Sequence, residues 1–355
     1  HEQCNAFIQF SQGFFEGRMT LLWIEFGLCA AAILFSGSKL SRYGDIIAVK
    51  TGLGGAWIGV VLLAGVTSLP ELIVGISSVT IAKTPDIALG DIMGSLVFNL
   101  FIIVIMDGLS PKAPLLSRAG GSHMLSAGFG ILLIGLASVS ILLGKNMPAA
   151  FGTGLYTPLI IVIYLAGMRA IYNHEKKNSS GKQTEVQEDI HMSKGMRDAL
   201  AGGLAHSIVI IAAGSILPFL GDSIARETGL GSSFIGTYFI GITTSLPEIV
   251  VCLAALKMGA VDMAVANIFG SNMFDIFILA VDDLFYREGP LFLDVSSTHS
   301  LTGMTAIIMT AAAIAGLYAK REKKPASWLG WESLIMIAAY AFNTFLLYRL
   351  AIAGG

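Results

Sequence analysis

Two stretches decide the fold: Thr51–Glu71, TGLGGAWIGVVLLAGVTSLPE, and Thr228–Glu248, TGLGSSFIGTYFIGITTSLPE. They align without a gap at an offset of 177 and share 11 of 21 positions. One short loop after each comes a second matched piece, GDIMGSLVFN at Gly90–Asn99 and ANIFGSNMFD at Ala266–Asp275. All four pieces are mainly apolar. Yet the residues they share include Thr, Ser, Pro and Glu, which a duplication kept for packing alone does not explain.

The composition around these repeats excludes a soluble fold. Of 355 residues, 22 are basic and 24 acidic, so 13% are charged. That is about half the share usual in a globular protein. Hydrophobic residues make up 54%, and the mean hydropathy is +0.74. No Gly-x-y period, long polar tract or cysteine framework is present, which excludes collagen, disordered tails and disulfide scaffolds. A net charge of −2 gives no reason to expect nucleic acid. Cys4, Cys29 and Cys252 are odd in number and far apart, and no disulfide is expected. Gly is abundant, 41 residues, as in membrane helices that pack closely.

A bilayer core takes about 20 apolar residues per helix. The sequence predicts an all-α polytopic membrane protein of about ten transmembrane helices. They lie near 21–38, 52–82, 87–106, 124–144, 151–171, 199–220, 232–257, 263–280, 301–319 and 328–350. The polar stretch 174–198 is read as a linker between an N-terminal five-helix half, 1–173, and a C-terminal one, 199–355. The repeats occupy about 51–106 and 228–280, in spans 2 and 3 and in spans 7 and 8. Five is odd, so equivalent helices cross in opposite directions. This is an inverted-topology repeat, an architecture of secondary transporters whose site lies at the repeat interface.

Basic residues set the orientation. With both termini outside, the inward loops hold Lys39, Arg42, Lys50, Lys112, Arg118, Arg169, Lys176, Lys177, Lys182, Lys194, Arg197, Lys257, Lys320, Arg321, Lys323 and Lys324. The outward set is Arg18, Lys83, Lys145, Arg226, Arg287 and Arg349. The linker is then cytosolic, and its Asn178-Ser179-Ser180 stays unglycosylated. A chain beginning at His1 with that end outside is consistent with a removed signal peptide or with trimming.

Glu71 and Glu248 lie in the middle of apolar spans, where acids are costly and functional by default. Each follows a proline, Pro70 or Pro247, which frees the carbonyl four residues earlier, at Val66 or Thr243. Thr67, Ser68, Thr244 and Ser245 add hydroxyls nearby. Ser95 with Asn99, and Ser271 with Asp275, are spaced i, i+4 and share a helix face. Gly94 and Gly270 permit close backbone approach. Carboxylates, hydroxyls, an amide and carbonyls, without His or Cys, suit hard cations such as Ca²⁺ and Na⁺.

The doubled TSLPE and GS-x-x-F-N/D motifs resemble the two α-repeats of the cation/Ca²⁺ exchanger superfamily, in particular its sodium/calcium exchanger branch. The resemblance covers the ten-span layout and both repeats. It implies a Ca²⁺ site at Glu71, Thr67, Glu248 and Thr244. It implies flanking Na⁺ sites at Ser68, Ser95, Ser245 and Ser271 with carbonyls of Ala64 and Gly241, and a central position adding Asn99 and Asp275. Thr-Ser before the Glu, where the proton-coupled branch usually has Asn-Ala, leans towards Na⁺. Leu96, standing where the second repeat has Asn272, resembles the potassium-dependent branch, as does Asp275. It implies that spans 1 and 6 slide across the repeat core, smoothed by Gly27, Gly37, Gly202, Gly203 and Gly214. No large Ca²⁺-sensing loop domain is present.

The reading is therefore a secondary antiporter exchanging Ca²⁺ for Na⁺ by alternating access. It needs no enzyme chemistry, resident cofactor or obligate protein partner. The alternatives are K⁺-dependent Na⁺/Ca²⁺ exchange, Ca²⁺/H⁺ exchange and, more distantly, a cation channel. The membrane is taken as the plasma or bacterial inner membrane. Glu71, Glu248 and Asp275 would share one dry site, where up to three Na⁺ balance three carboxylates. One Ca²⁺ leaves one negative charge over, so one carboxyl, Asp275 first, is expected protonated with Ca²⁺ bound. Glu25 and His206 are read as near helix ends or locally bonded, with a gating role as the sharper alternative. Asp91 is read as a cap of span 3 or an access-path residue. Asp107, Asp282 and Asp283 are expected to face water. The tryptophans, Trp23, Trp57, Trp328 and Trp331, are read as interface anchors or packing.

Overall fold

The computed structural model describes residues 2–50, 64–110, 113–150, 152–178, 195–321 and 328–354. Their helices are α1 (Glu2–Lys50), α2 (Leu69–Ser77), α3 (Pro85–Gly108), α4 (Leu115–Arg118), α5 (His123–Leu143), α6 (Tyr156–Asn178), α7 (Met196–Thr228), α8 (Gly231–Ile235), α9 (Gly241–Thr244), α10 (Leu246–Lys257), α11 (Val261–Phe285), α12 (Thr298–Ala319) and α13 (Trp331–Gly354). Single π-helical turns, Ser78–Ala82 and Gly236–Ile240, follow α2 and α8. Seven of these helices are long and apolar enough to cross a membrane, or eight if the bent pair Gly231–Thr244 and Leu246–Lys257 is one span. Residues 51–63, the front of the first repeat, lie outside the described set, as do Trp57 and 179–194 of the linker.

The helices are arranged by burial. Within α3 and α11, 89% and 83% of the apolar window is enclosed, against 17% for α1 and for α13. α3 and α11 form the centre, with α2, α5, α9, α10 and α12 around them. The long helices α1 and α7 lie against each other at one side, touching α2 and α10. Leu21, Leu28, Phe35, Leu204, Ile208 and Phe345 are exposed. Such an apolar outside around a polar centre suits a lipid solvent, because only groups away from hydrocarbon can stay polar.

Several boundaries differ from the sequence reading. α1 continues through Lys39 and Arg42 to Lys50, so these are helical and not in a loop. Between Ser38 and Lys50 no proline interrupts the helix, and Gly44 costs it only about 1 kcal/mol. α7 likewise passes through Pro218 and stops at Thr228. There Gly229, at φ +71, donates its N–H to the Ala225 carbonyl at 3.0 Å, the left-handed cap that glycine favours. The TGL opening of the second repeat is therefore a helix stop. The fifth predicted span starts late. Ala149–Ala150 pairs antiparallel with Thr153–Gly154 through Gly152 at φ +83, and the helix begins at Tyr156. The linker is shorter than 174–198, since α6 runs to Asn178 and α7 starts at Met196.

Asp107 and Asp283 do not face water; both are buried. Asp107, at the end of α3, accepts hydrogen bonds from Leu115 N (2.8 Å), Gly330 N (2.6 Å) and Ser333 Oγ (2.8 Å). Asp283, at the end of α11, accepts from Leu291 N (2.6 Å), Gly154 N (3.1 Å), Tyr156 OH (2.7 Å) and Thr157 Oγ1. A matching pair pins the starts of the same helices. Asp86 of α3 accepts from Ser296 N (2.7 Å) and His299 Nε2 (2.9 Å). Asp262 of α11 accepts from Gly120 N (2.5 Å) and His123 Nε2 (2.9 Å). The start of each central helix is thus tied to the chain just beyond the end of the other, so α3 and α11 run antiparallel. One face carries Asp86 and the Lys83–Glu288 ion pair (3.4 Å); the other carries Asp262 and Arg118. Asp107→Ala and Asp283→Ala should each lower stability by about 3 kcal/mol or more, because several buried donors lose their acceptor together. Melting of the purified variants in detergent checks this, and two unchanged melting temperatures would refute the pinning role.

Candidate functional site

The Thr-Ser-Leu-Pro-Glu of each repeat forms the same break. Ser68 leaves helical geometry at φ −84°, ψ 15°, and Ser245 does so at φ −83°, ψ 5°. Proline two residues later removes the N–H that would have continued the helix. The second break bends its helix by 43°. Each glutamate therefore sits in the first turn of a new helix inside the protein, where unpaired N–H groups favour negative charge.

The two breaks meet the two central helices. Glu71 Oε1 accepts from Ser95 Oγ at 3.4 Å and from Ser245 Oγ at 3.3 Å, so it joins the halves. Ser95 Oγ also lies 3.2 Å from the Gly241 carbonyl and 3.4 Å from Thr244 Oγ1. The mirrored contact, Thr67 Oγ1 to Ser271 Oγ, is also 3.4 Å. Thr67 and Ser271 face Glu248 without completing a hydrogen bond to it. Asn99 Nδ2 donates to Asn272 Oδ1 at 3.1 Å and reaches Asp275 Oδ2 at 3.4 Å. Ser68 lies beside Asp275, also without a completed bond. The Ala64 carbonyl accepts from Ser68 N (3.0 Å) and Thr67 Oγ1 (3.2 Å), and the Gly241 carbonyl accepts from Ser245 N (3.3 Å). All twelve residues singled out in the sequence thus gather in the interior.

Close approach depends on small residues. A Cβ at Gly94 would overlap the Thr237 carbonyl, and one at Gly90 would lie 2.8 Å from Gly236 Cα. Gly90-x-x-x-Gly94 therefore lets α3 meet the π turn before α9 backbone to backbone. Gly241 packs in return against the Asp91 carbonyl, 2.8 Å from a built Cβ.

The site residues are almost wholly enclosed, but their oxygens are not all used. Glu71 Oε2, both Glu248 oxygens, Asp275 Oδ1, Asn99 Oδ1 and Ser68 Oγ have no hydrogen-bond partner among the described residues. Buried acceptors left unpaired are costly unless something positive meets them. No three His, Cys, Asp or Glu side chains among the described residues close on one point as a finished metal centre would. The arrangement is instead two glutamates and one aspartate spread through a cage of hydroxyl, amide and carbonyl oxygen. Such a cage coordinates hard cations and lacks the nitrogen and sulfur that zinc or copper prefers.

Sequence reasoning placed three residues incompletely. Asp91 neither caps α3 nor stands apart from the site. It is fully buried and accepts from Thr244 Oγ1 at 2.7 Å. Its spacing of four from Ser95 was the available signal. Asn272, read only as a branch marker, spans the halves by also donating to the Leu96 carbonyl at 3.1 Å. Asp282, expected in water, is fully buried. The clamps His123–Asp262 and His299–Asp86 were not singled out at all. Carrying the offset of 176 beyond the GS motif pairs Asp86 with Asp262, Asp107 with Asp283, and His123 with His299. Of the set-aside residues, Glu25 is exposed, and His206 packs against Tyr43 and Phe35 at 6.0 and 5.7 Å between centroids.

The fold and site define a class: an integral membrane protein of helices around an enclosed cage of oxygen ligands. The family described as sodium/calcium exchanger protein matches residues 21–170 and 199–349, and the chain belongs to it. The sodium/calcium exchanger MaX1 of Methanosarcina acetivorans is 26% identical over 338 residues, covering 86% of this chain and 93% of that one. Among solved structures, the H⁺/Ca²⁺ exchanger CAX superposes with a TM-score of 0.70 at 12% identity, covering 94% of this chain and 86% of that one. The sodium-calcium exchanger NCX_Mj gives 0.57 at 21%, covering 91% and 98%. These two share the fold.

Gly94→Ala should destabilise the protein by about 1–3 kcal/mol, the usual cost of overpacking. Gly128→Ala, whose added Cβ would meet nothing within 4 Å, serves as control. Equal melting temperatures for the two variants would contradict the close backbone approach.

Proposed function

We propose that this protein is a secondary antiporter that exchanges Ca²⁺ for Na⁺, with Glu71 and Glu248 as the ligands the two ions share. One observation carries the reading: two buried glutamates, one from each repeat, with unpaired oxygens inside an all-oxygen cage. Family membership and a relative named as a sodium/calcium exchanger support it. Thr67, Thr244 and the two glutamates hold Ca²⁺. Ser68, Ser95, Ser245 and Ser271, with the carbonyls of Ala64 and Gly241, hold Na⁺ at the flanks. Asn99 and Asp275 complete the centre.

Exchange follows from charge. An empty cage leaves up to three carboxylates facing one another, which disfavours a charged, dry, reorienting state. Na⁺ ions relieve that repulsion, and so does Ca²⁺, but the two cannot occupy the shared glutamates together. Ten spans in two inverted halves would place the cage midway, and the basic residues put both termini outside and the linker in the cytosol of a plasma or bacterial inner membrane. α1 and α7 are the elements that move. α1 meets the site at Gly37 against Pro247, and α7 at Gly214 against Ile73. Both contacts use a glycine, so the gliding surfaces are smooth there. A Cβ added at Gly27 would meet nothing within 4 Å, so no close approach depends on that glycine.

The test is Ca²⁺ uptake into proteoliposomes under separate Na⁺, K⁺ and H⁺ gradients. Uptake should follow an outward Na⁺ gradient. Uptake that follows only the H⁺ gradient would make this a Ca²⁺/H⁺ exchanger, a need for K⁺ as well would place it with K⁺-dependent exchange, and gradient-independent flux would indicate a channel. Glu71→Gln and Glu248→Gln should each reduce exchange by roughly 100-fold or more, the scale for removing one charged ligand from a dry site. Full transport in either variant would overturn the ligand assignment.

A further inference from the structure

One buried acid has no part in this scheme. Asp282 lies on α11 seven residues beyond Asp275, on the same helix face and about 10 Å further along the axis. It is fully enclosed, and neither of its oxygens has a hydrogen-bond partner among the described residues. Adjacent Asp283, by contrast, is surrounded by donors. The Asp282 carboxylate rests on Gly75 of α2, where a Cβ would lie 2.7 Å from Oδ1. Gly75 is one turn beyond Glu71, and three residues further Ser78 carries another buried hydroxyl without a partner. Asp91 of α3 is also fully buried, and its Oδ2 is likewise unpaired.

The other half of the molecule has no counterpart. The repeat offsets place Met106 opposite Asp282, Asn267 opposite Asp91, Cys252 opposite Gly75 and Ala255 opposite Ser78. In that half the space is filled: Met106 is buried, and Asn267 Nδ2 donates to Cys252 Sγ at 3.6 Å. Among the described residues, this pair of buried acids with unpaired oxygens therefore lies on one side of the central cage only, towards the face of Lys83 and Glu288.

We propose that Asp282, Asp91 and the Ser78 hydroxyl form a further station for a monovalent metal cation, one helical turn from Glu71 on the route to that face. The proposal rests on the antiporter reading for its role in transport. Two carboxylates and a hydroxyl fall well short of the six to eight oxygens Ca²⁺ requires. They suffice for an ion that keeps part of its water, and Gly75, having no Cβ, is what lets the Asp282 carboxylate lie so close to α2. The station makes the two access routes unequal: a coupling ion approaching from the Lys83 face meets a carboxylate before it meets the cage.

Radiolabelled Na⁺ binding to the purified protein tests the station directly, with K⁺ as competitor. Glu71→Gln, which disables the central cage, should retain a residual Na⁺ site, and Glu71→Gln/Asp282→Asn should lose it. In flux assays Asp282→Asn should raise the half-activating Na⁺ concentration by roughly three- to tenfold, the loss of one charged ligand. The half-saturating Ca²⁺ concentration should be unchanged, and Asp282→Glu should restore the Na⁺ response. Equal residual binding in the single and double variants would overturn the station, and so would an Asp282→Asn effect confined to pH dependence. Absence of Ca²⁺ flux in the unmutated protein under every gradient would instead refute the antiporter reading, while the binding comparison would still decide the station.

Discussion

A carboxylate far from water must be matched by donors or by a cation, and the central structure follows from that constraint. Glu71 and Glu248 are fully enclosed, so the chain has to bring hydroxyls, amides and helix starts to them from both halves. The serine pivots at Ser68 and Ser245 open each helix just before its glutamate. Gly90 and Gly94 then let α3 approach closely enough for Ser95 to reach Glu71 and Gly241. That satisfaction is only partial among the described residues. A cage whose every oxygen had a protein partner would have nothing left to offer an ion.

The same residue type serves opposite ends at different depths. Asp86, Asp107, Asp262 and Asp283 are saturated or nearly so by backbone N–H, histidine and hydroxyl donors; Asp86 and Asp262 tie the start of each central helix to the chain beyond the other, and Asp107 and Asp283 tie the helix ends to neighbouring segments. They hold α3 and α11 antiparallel while α1 and α7 pack outside them. Asp91 and Asp282 sit between these anchors and the cage with oxygens to spare. The anchoring acids and the unpaired acids are therefore separated by hydrogen-bond saturation, not by amino-acid type.

Two-fold likeness is strong in the anchors and the cage, and it breaks in a few side chains. Thr67 meets Ser271 as Thr244 meets Ser95, at the same distance. Yet Asn99 is set against Asp275, Leu96 against Asn272, and Asp91 against Asn267.

Much of this was legible in the sequence because it depends on local chemistry. Apolar run length, the doubled TSLPE and GS motifs, and acids within apolar segments pointed to the helical membrane class, to the family, and to twelve residues that the fold encloses. Each of those signals lies within a few neighbours along the chain. What the sequence could not decide was the fate of an acid near a helix end, because that depends on which distant donor arrives. Asp283 and Asp282 are adjacent. One is buried among Tyr156, Gly154 and Leu291, and the other is buried against Gly75 with nothing to bind. Only the packing of α2 and α6 against the end of α11 separates a saturated acid from an unpaired one, because hydrogen-bond satisfaction is settled by three-dimensional neighbours.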